Sequence, residues 1–100
     1  MTEYQISLLQ NYPNQKFDTT FVSSNKNATI KIYQVQEYTY CDIYIDNVLC
    51  LAGYCMHDRV KINLKRWTLS DEYLYFVDLQ GTTDPDFKQY NIRYLLVYGF

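Results

Sequence analysis

The residues with the most chemical reach lie between Cys50 and Trp67. Cys50, Cys55, His57 and Asp58 are four potential metal ligands close together in the chain. Structural zinc sites use tight pairs such as C-x2-C, and the C-x4-C-x-H-D spacing here matches them poorly, so no metal is expected. Cys55 and His57 could act as nucleophile and base. They stand two residues apart in a loop, however, with no third group to orient the imidazole. Arg59, Lys61, Lys65 and Arg66 lead into Trp67, and cations beside an indole could track a single nucleic-acid strand. The bland reading is a solvated face, or an ion-pairing surface for an acidic partner subunit. The acidic balance of the whole chain favours the bland reading.

Two carboxylate pairs complete the chemical inventory. Asp42 and Asp46 fall on one face of an alternating segment, about 13 Å apart by strand rise. That is too far for an acid/base pair of the glycosidase kind. Asp84 and Asp86 flank Pro85, where carboxylates cap turns more often than they bind calcium. Gly53, Gly81 and Gly99 are too dispersed to form a phosphate loop. With one histidine and no nucleophile motif, the residues point away from an enzyme, and no cofactor is expected.

The elements that must position these residues are strands. Tyr40, Asp42, Tyr44 and Asp46 alternate with Cys41, Ile43 and Ile45, the period of a strand with one wet and one dry face. Asp46-Asn47 supplies a two-residue hairpin turn, since both residue types tolerate positive φ. Pairing across it places Ile45 opposite Val48, Ile43 opposite Cys50 and Cys41 opposite Ala52. The expected dry face is therefore Cys41, Ile43, Ile45, Val48, Cys50 and Ala52, and Gly53 ends the hairpin. Upstream, Glu3 to Leu9, Lys16 to Ser23 and Ala28 to Val35 also alternate, with loops at Asn11 to Gln15 and Ser24 to Asn27 and a bend at Gln36-Glu37. Cys55 to Arg66 reads as a loop with a short extended segment, a single helical turn being the alternative. Tyr73 to Asp78 is a strand, Leu79 to Phe87 a long loop, and Tyr90 to Val97 a final strand that is central or covered on both faces.

Composition sets the outer bounds. The 100 residues make one domain, 1–100, with 48% hydrophobic residues, enough for a single core. No apolar run approaches membrane-spanning length and no signal-peptide pattern opens the chain, so neither a membrane association nor secretion is expected. Net charge is -2 and the isoelectric point about 5.1, which argues against a general nucleic-acid binder. An odd count of three cysteines is not a disulfide framework. The 12 tyrosines are the unusual number. Tyrosine suits half-buried strand positions, and a surplus on outer faces suits contact with other subunits. The expected fold is all-β: a small single-domain antiparallel sandwich or partly closed barrel of about six to eight strands.

Several segments taken together resemble a family of short phage tail proteins, the baseplate plug proteins. They are Pro13-Asn-Gln-Lys-Phe17 after a short first strand, then Asp42-Ile-Tyr-Ile-Asp46 with Gly53 a few residues on. Leu74-Tyr-Phe-Val-Asp78, Gly81, Asp84-Pro-Asp-Phe87 and Arg93-Tyr-Leu-Leu-Val-Tyr98 follow. The F-x-D, D-P and R-Y-L-L-x-Y elements at the end are the most distinctive. Asn47 departs from the glycine common at the hairpin turn, and Cys55 to Trp67 has no counterpart. The resemblance implies a small all-β virion module without catalytic residues, assembled in the host cytoplasm. It would sit on the tail axis against hub and spike subunits of the baseplate, as an oligomer, with a trimer as one option. The candidate partner surface is Tyr40, Asp42, Tyr44 and Asp46 on the wet face of the hairpin, with Arg59, Lys61, Lys65, Arg66 and Trp67. The alternative function is a small β-barrel binding module for single-stranded nucleic acid or a small ligand.

Overall fold

Period-two alternation accounts for most of the architecture. A computed structural model describes residues 2–100. The strands are β1 (Glu3–Ile6), β2 (Asn14–Phe21), β3 (Lys26–Val35), β4 (Tyr38–Ile45), β5 (Val48–Cys55), β6 (Ile62–Asn63), β7 (Tyr73–Asp78) and β8 (Tyr94–Gly99). A single helical turn, α1 (Lys65–Thr68), follows β6, and a 3-10 turn spans Phe87–Gln89. The strands form two four-stranded antiparallel sheets, ordered β2-β3-β4-β5 and β1-β8-β7-β6. The result is a sandwich, not a barrel.

The first sheet is a meander whose inner face can be read directly from the sequence. Phe21, Ala28, Ile30, Ile32, Cys41, Ile43 and Ile45 are all buried. Each large apolar side chain removed from water in this way stabilises the fold by about 1.5–3 kcal/mol. Asp46 and Asn47 take φ of 50° and 67°, the pair of left-handed conformations a primed hairpin turn needs. The connection at Gln36 also turns through positive φ, at 56°. From the second sheet, Leu74, Phe76, Tyr94, Leu96 and Tyr98 face the first. Phe21 stacks on Tyr98 across the interface, with centroids 5.2 Å apart. Tyr98 donates its hydroxyl hydrogen to the buried Glu72 and accepts one from the Ser23 amide at 3.2 Å. Burial and the Glu72 contact push the Tyr98 hydroxyl up to about 12.

The register of the hairpin differs from the simple expectation. Ile45 does pair with Val48, but Ile43 pairs with Leu51 and Cys41 with Tyr54. Two bulges on β5 each insert one residue. The cause is local and polar. The Asp42 carboxylate draws in the Gly53 amide at 2.7 Å, and Gly53 takes φ +65° there. The dry face is therefore regular along β4 and broken along β5, where Cys50, Leu51 and Tyr54 pack against the core only in part. Val48 is 63% exposed, Ala52 is exposed, and Cys50 is only half-buried. Gly53 does not end the hairpin, since β5 runs on to Cys55.

The last strand is shifted as well. It starts at Tyr94, and Tyr90 is instead a fully buried anchor stacked on Phe76 at 5.6 Å, in reach of the Thr39 hydroxyl. β8 is central, between β1 and β7, as its apolar character requires. The chain ends meet there, with Thr2 and Phe100 exchanging backbone hydrogen bonds of 2.7 and 2.9 Å. Among the described residues, no helix is long and apolar enough to cross a membrane.

One ion pair fixes the end of the second sheet. Arg93, entering β8, grips Asp78, the last residue of β7, through two hydrogen bonds of 2.8 and 2.9 Å. Asp78 also accepts from the amides of Gln80 and Thr83, so every lone-pair direction of this buried carboxylate is used. The crossover from the first sheet to the second docks on the same spot. Asp58 accepts the Asp78 amide at 2.7 Å, and Arg59 donates to the carbonyls of Asp78 and Gly81. The Arg93 bonds, outweighing burial, hold the Asp78 carboxyl well below the usual carboxylate range. A depressed folded pKa contributes stability that is complete above the unfolded value of about 3.9 and is lost as pH falls through the folded value. Asp78→Asn should therefore lower the melting temperature at neutral pH more than substitution of any exposed carboxylate. The gap to the parent chain should narrow as pH falls below about 4, which thermal melts over a pH series would show.

Candidate interaction surfaces

The outer face of the first sheet carries the hairpin residues expected at an interface. Tyr40, Asp42 and Tyr44 alternate outward from β4, and Asp46 sits at its turn. Tyr33 lies opposite Tyr40 in the register, and their rings stack with centroids 5.9 Å apart. The Lys31 amine lies 5.3 Å from the centre of the Tyr44 ring. The three tyrosines and Lys31 make one aromatic and cationic platform, of the composition favoured at protein interfaces. Asp42 belongs to this face but is engaged within it. It accepts the Tyr33 hydroxyl at 2.9 Å besides the Gly53 amide, and burial together with this contact pushes the Tyr33 hydroxyl up. Asp46 faces Lys26 at 3.5 Å, an exposed pair worth little.

The second expected group is largely engaged within the chain. Arg59 is tied to Asp58 and two carbonyls in the crossover. Lys65 pairs with Asp71 at 3.3 Å. Trp67 is half-buried against the core, and Arg66 is exposed. Lys61 sits over the rings of Tyr73 and Tyr75, at 4.2 and 5.6 Å. Three of the four cations are thus engaged with neighbours in the same chain, which leaves less free charge to meet phosphates. Among the described residues, Ile30, Ile43, Phe76 and Leu96 fill the interior at 1% exposure or less.

The cysteine and histidine cluster is dispersed. The His57 ring nitrogen contacts Asp84 at 2.9 Å and is not aimed at Cys55. Asp84 also accepts the Asp58 amide. Burial opposes ionisation of Asp84, but these contacts bring it below the usual carboxylate range. Burial and then the Asp84 charge push the Cys55 thiol up, and burial pushes the Cys41 thiol up to about 12. Neither is a thiolate at neutral pH, so neither is an activated nucleophile. Cys50 turns back to the carbonyl of Val48. Asp86 caps the 3-10 turn through the Lys88 amide at 2.9 Å. Among the described residues, no three His, Cys, Asp or Glu side chains gather as metal ligands would.

The outer face of the second sheet holds a feature that single-sequence reasoning misses. Tyr73 and Tyr75 point outward from β7, lie across β8 and donate their hydroxyls to Glu3 on β1, at 2.7 and 3.1 Å. Lys61 caps the same rings from the other side. The clamp covers Val97, leaving it 8% exposed on a face otherwise open to solvent. It also explains Gly99, where a Cβ would collide with the Tyr73 ring. The Y-x-Y alternation in β7 is visible in the sequence, but Glu3 lies 70 residues away and only the pairing of β1 with β8 brings it near.

This clamp gives two tests. Gly99→Ala should destabilise the fold by about 1–3 kcal/mol through overpacking, measured by chemical denaturation. The Tyr73 hydroxyl is raised to about 12, first by its bond to Glu3. A raised folded pKa means that the contact contributes fully below the unfolded value of about 10 and is lost as pH rises through the folded one. Glu3→Gln should therefore return one tyrosine to ordinary titration in an ultraviolet pH titration.

Comparison with known proteins agrees with the reading from the residues. No curated protein matches the chain. A family model described as cyanophage baseplate Pam3 plug gp18 matches residues 3–99, nearly the full length and every strand of both sheets. The chain belongs to the family of the cyanophage baseplate Pam3 plug gp18.

Proposed function

We propose that this chain is a structural component of a phage tail baseplate, a plug held on the tail axis by the central hub and spike subunits. The family match over residues 3–99 carries the proposal. The chemistry of the surface supports it. The tyrosine platform around Tyr33, Tyr40 and Tyr44 offers broad, rigid contact area with polar tips, and the polar groups beside it are already oriented by internal hydrogen bonds. Such a face binds protein without the ordering cost of flexible side chains. The role is non-enzymatic: the distinctive motif residues Asp78, Asp84 and Arg93 hold loops together. The plug works in the virion as an oligomer, for which a trimer matching a threefold hub is one arrangement, after assembly in the host cytoplasm.

The proposal can be tested by capture. Immobilised hub or spike subunits from the same phage should retain the purified chain. Tyr40→Ala/Tyr44→Ala should bind at least about tenfold more weakly while keeping the parent circular dichroism spectrum. A chain retained by neither subunit, or a double variant that binds as well as the parent, would overturn the proposal.

A further inference from the structure

Two sheets expose four edges, and three of them are blunted. β1 has 4 residues and β6 has 2. β5 is kinked by its two bulges. Short, bulged edges resist pairing with other chains. β2 is different. It has 8 residues, pairs regularly with β3 along its whole length, and leaves its other side open. It also carries an unbalanced charge. Lys16 lies directly opposite Lys31 in the register, and like charges in that position repel. Lys16 has no ion-pair partner among the described residues. Two residues on, Asp18 is exposed, with the Thr29 hydroxyl donating to one of its oxygens at 2.6 Å.

The sequence of β2 is self-complementary in one antiparallel register. We infer that the free chain pairs with a second copy of itself through β2, centred on Phe17, so that Lys16 of each copy meets Asp18 of the other. The two sheets then join into one of eight strands. Phe17 meets its own counterpart, Gln15 meets Thr19 of the second copy, and Asn14 meets Thr20. The register is selective. Centring on Lys16 or on Asp18 opposes like charges at the axis, and a slip of one residue puts the second core on the wrong face. The charge complementarity thus identifies the occupant of this edge as the chain itself, in a closed twofold contact. Beneath the strand, an apolar groove lined by Tyr4, Ile6, Phe21, Val22 and Tyr98 opens on the same side, between β1 and β2. The same register brings the exposed Val22 level with the exposed Tyr12 of the second copy. The inference concerns the unassembled chain and does not rest on the plug reading.

Sedimentation equilibrium of the full chain, with two charge reversals, tests it. The parent should show a monomer–dimer equilibrium. Lys16→Glu and Asp18→Lys should each dimerise more than about tenfold more weakly, because each opposes like charges twice. Mixed together they should form a heterodimer, seen by native mass spectrometry, since a β2 with two acidic side chains at these positions then faces a β2 with two basic ones. The double variant Lys16→Glu/Asp18→Lys should recover the homodimer, which keeps the test decisive should either single variant fold poorly. A parent that stays monomeric, dimers that survive both single reversals, or a double variant that stays monomeric would overturn the inference.

Discussion

The buried ion pair between Asp78 and Arg93 is the interaction on which the rest of the structure depends. A carboxylate with no exposed side-chain surface is tolerated only when its oxygens are satisfied, and here two guanidinium bonds and two amides do so. The pair joins the end of β7 to the start of β8 and orders the loop between them. Through Asp58 and Arg59 it also receives the crossover from the first sheet. The two layers are connected along the chain by that crossover alone, apart from the loop joining β1 to β2. Its position in turn sets how Phe76 and Tyr90 meet the inner face of the first sheet. Asp58, Arg59, Asp78 and Arg93 are therefore structural. Their polar groups bond to one another and to backbone groups of the neighbouring loops.

The high tyrosine content has two separate physical roles. Tyr94 and Tyr98 of the second sheet, and Tyr90 ahead of β8, are interior residues, and the hydroxyls of Tyr90 and Tyr98 find buried partners. Tyr33, Tyr40 and Tyr44 on one outer face and Tyr73 and Tyr75 on the other lie against their own sheets through stacking, cation–π contacts and hydrogen bonds to carboxylates. The first face remains open as a platform. The second is closed over by its own clamp, so the two faces are not equivalent as docking surfaces.

The strands from β2 to β4 and β7 are legible in the sequence because alternation of apolar and polar residues is a direct consequence of the pleat. The Asp46-Asn47 turn is legible because few residue types tolerate its backbone. The bulges on β5 are not, because they depend on a side chain of the neighbouring strand, Asp42, reaching the Gly53 amide. Asp78 reads as the polar end of a strand; its burial follows only once Arg93 is known to fold back on it. Of the expected interface residues, Tyr40 and Tyr44 are placed on the outer face by period alone. The contacts of Arg59, Lys61 and Lys65 are not legible, since their partners Asp58, Tyr73 and Asp71 are chosen by the crossover and the turn before β7.

A sandwich whose polar groups are turned to its own loops, with one aromatic face left open, is suited to contact with a neighbouring protein. That is the central claim, and reconstruction of intact tails by electron cryomicroscopy tests it most directly. The account predicts density for this eight-stranded module on the baseplate axis, with the Tyr33, Tyr40 and Tyr44 face seated against a neighbouring subunit. Its absence from the baseplate, or a position there with that face open to solvent, would contradict it.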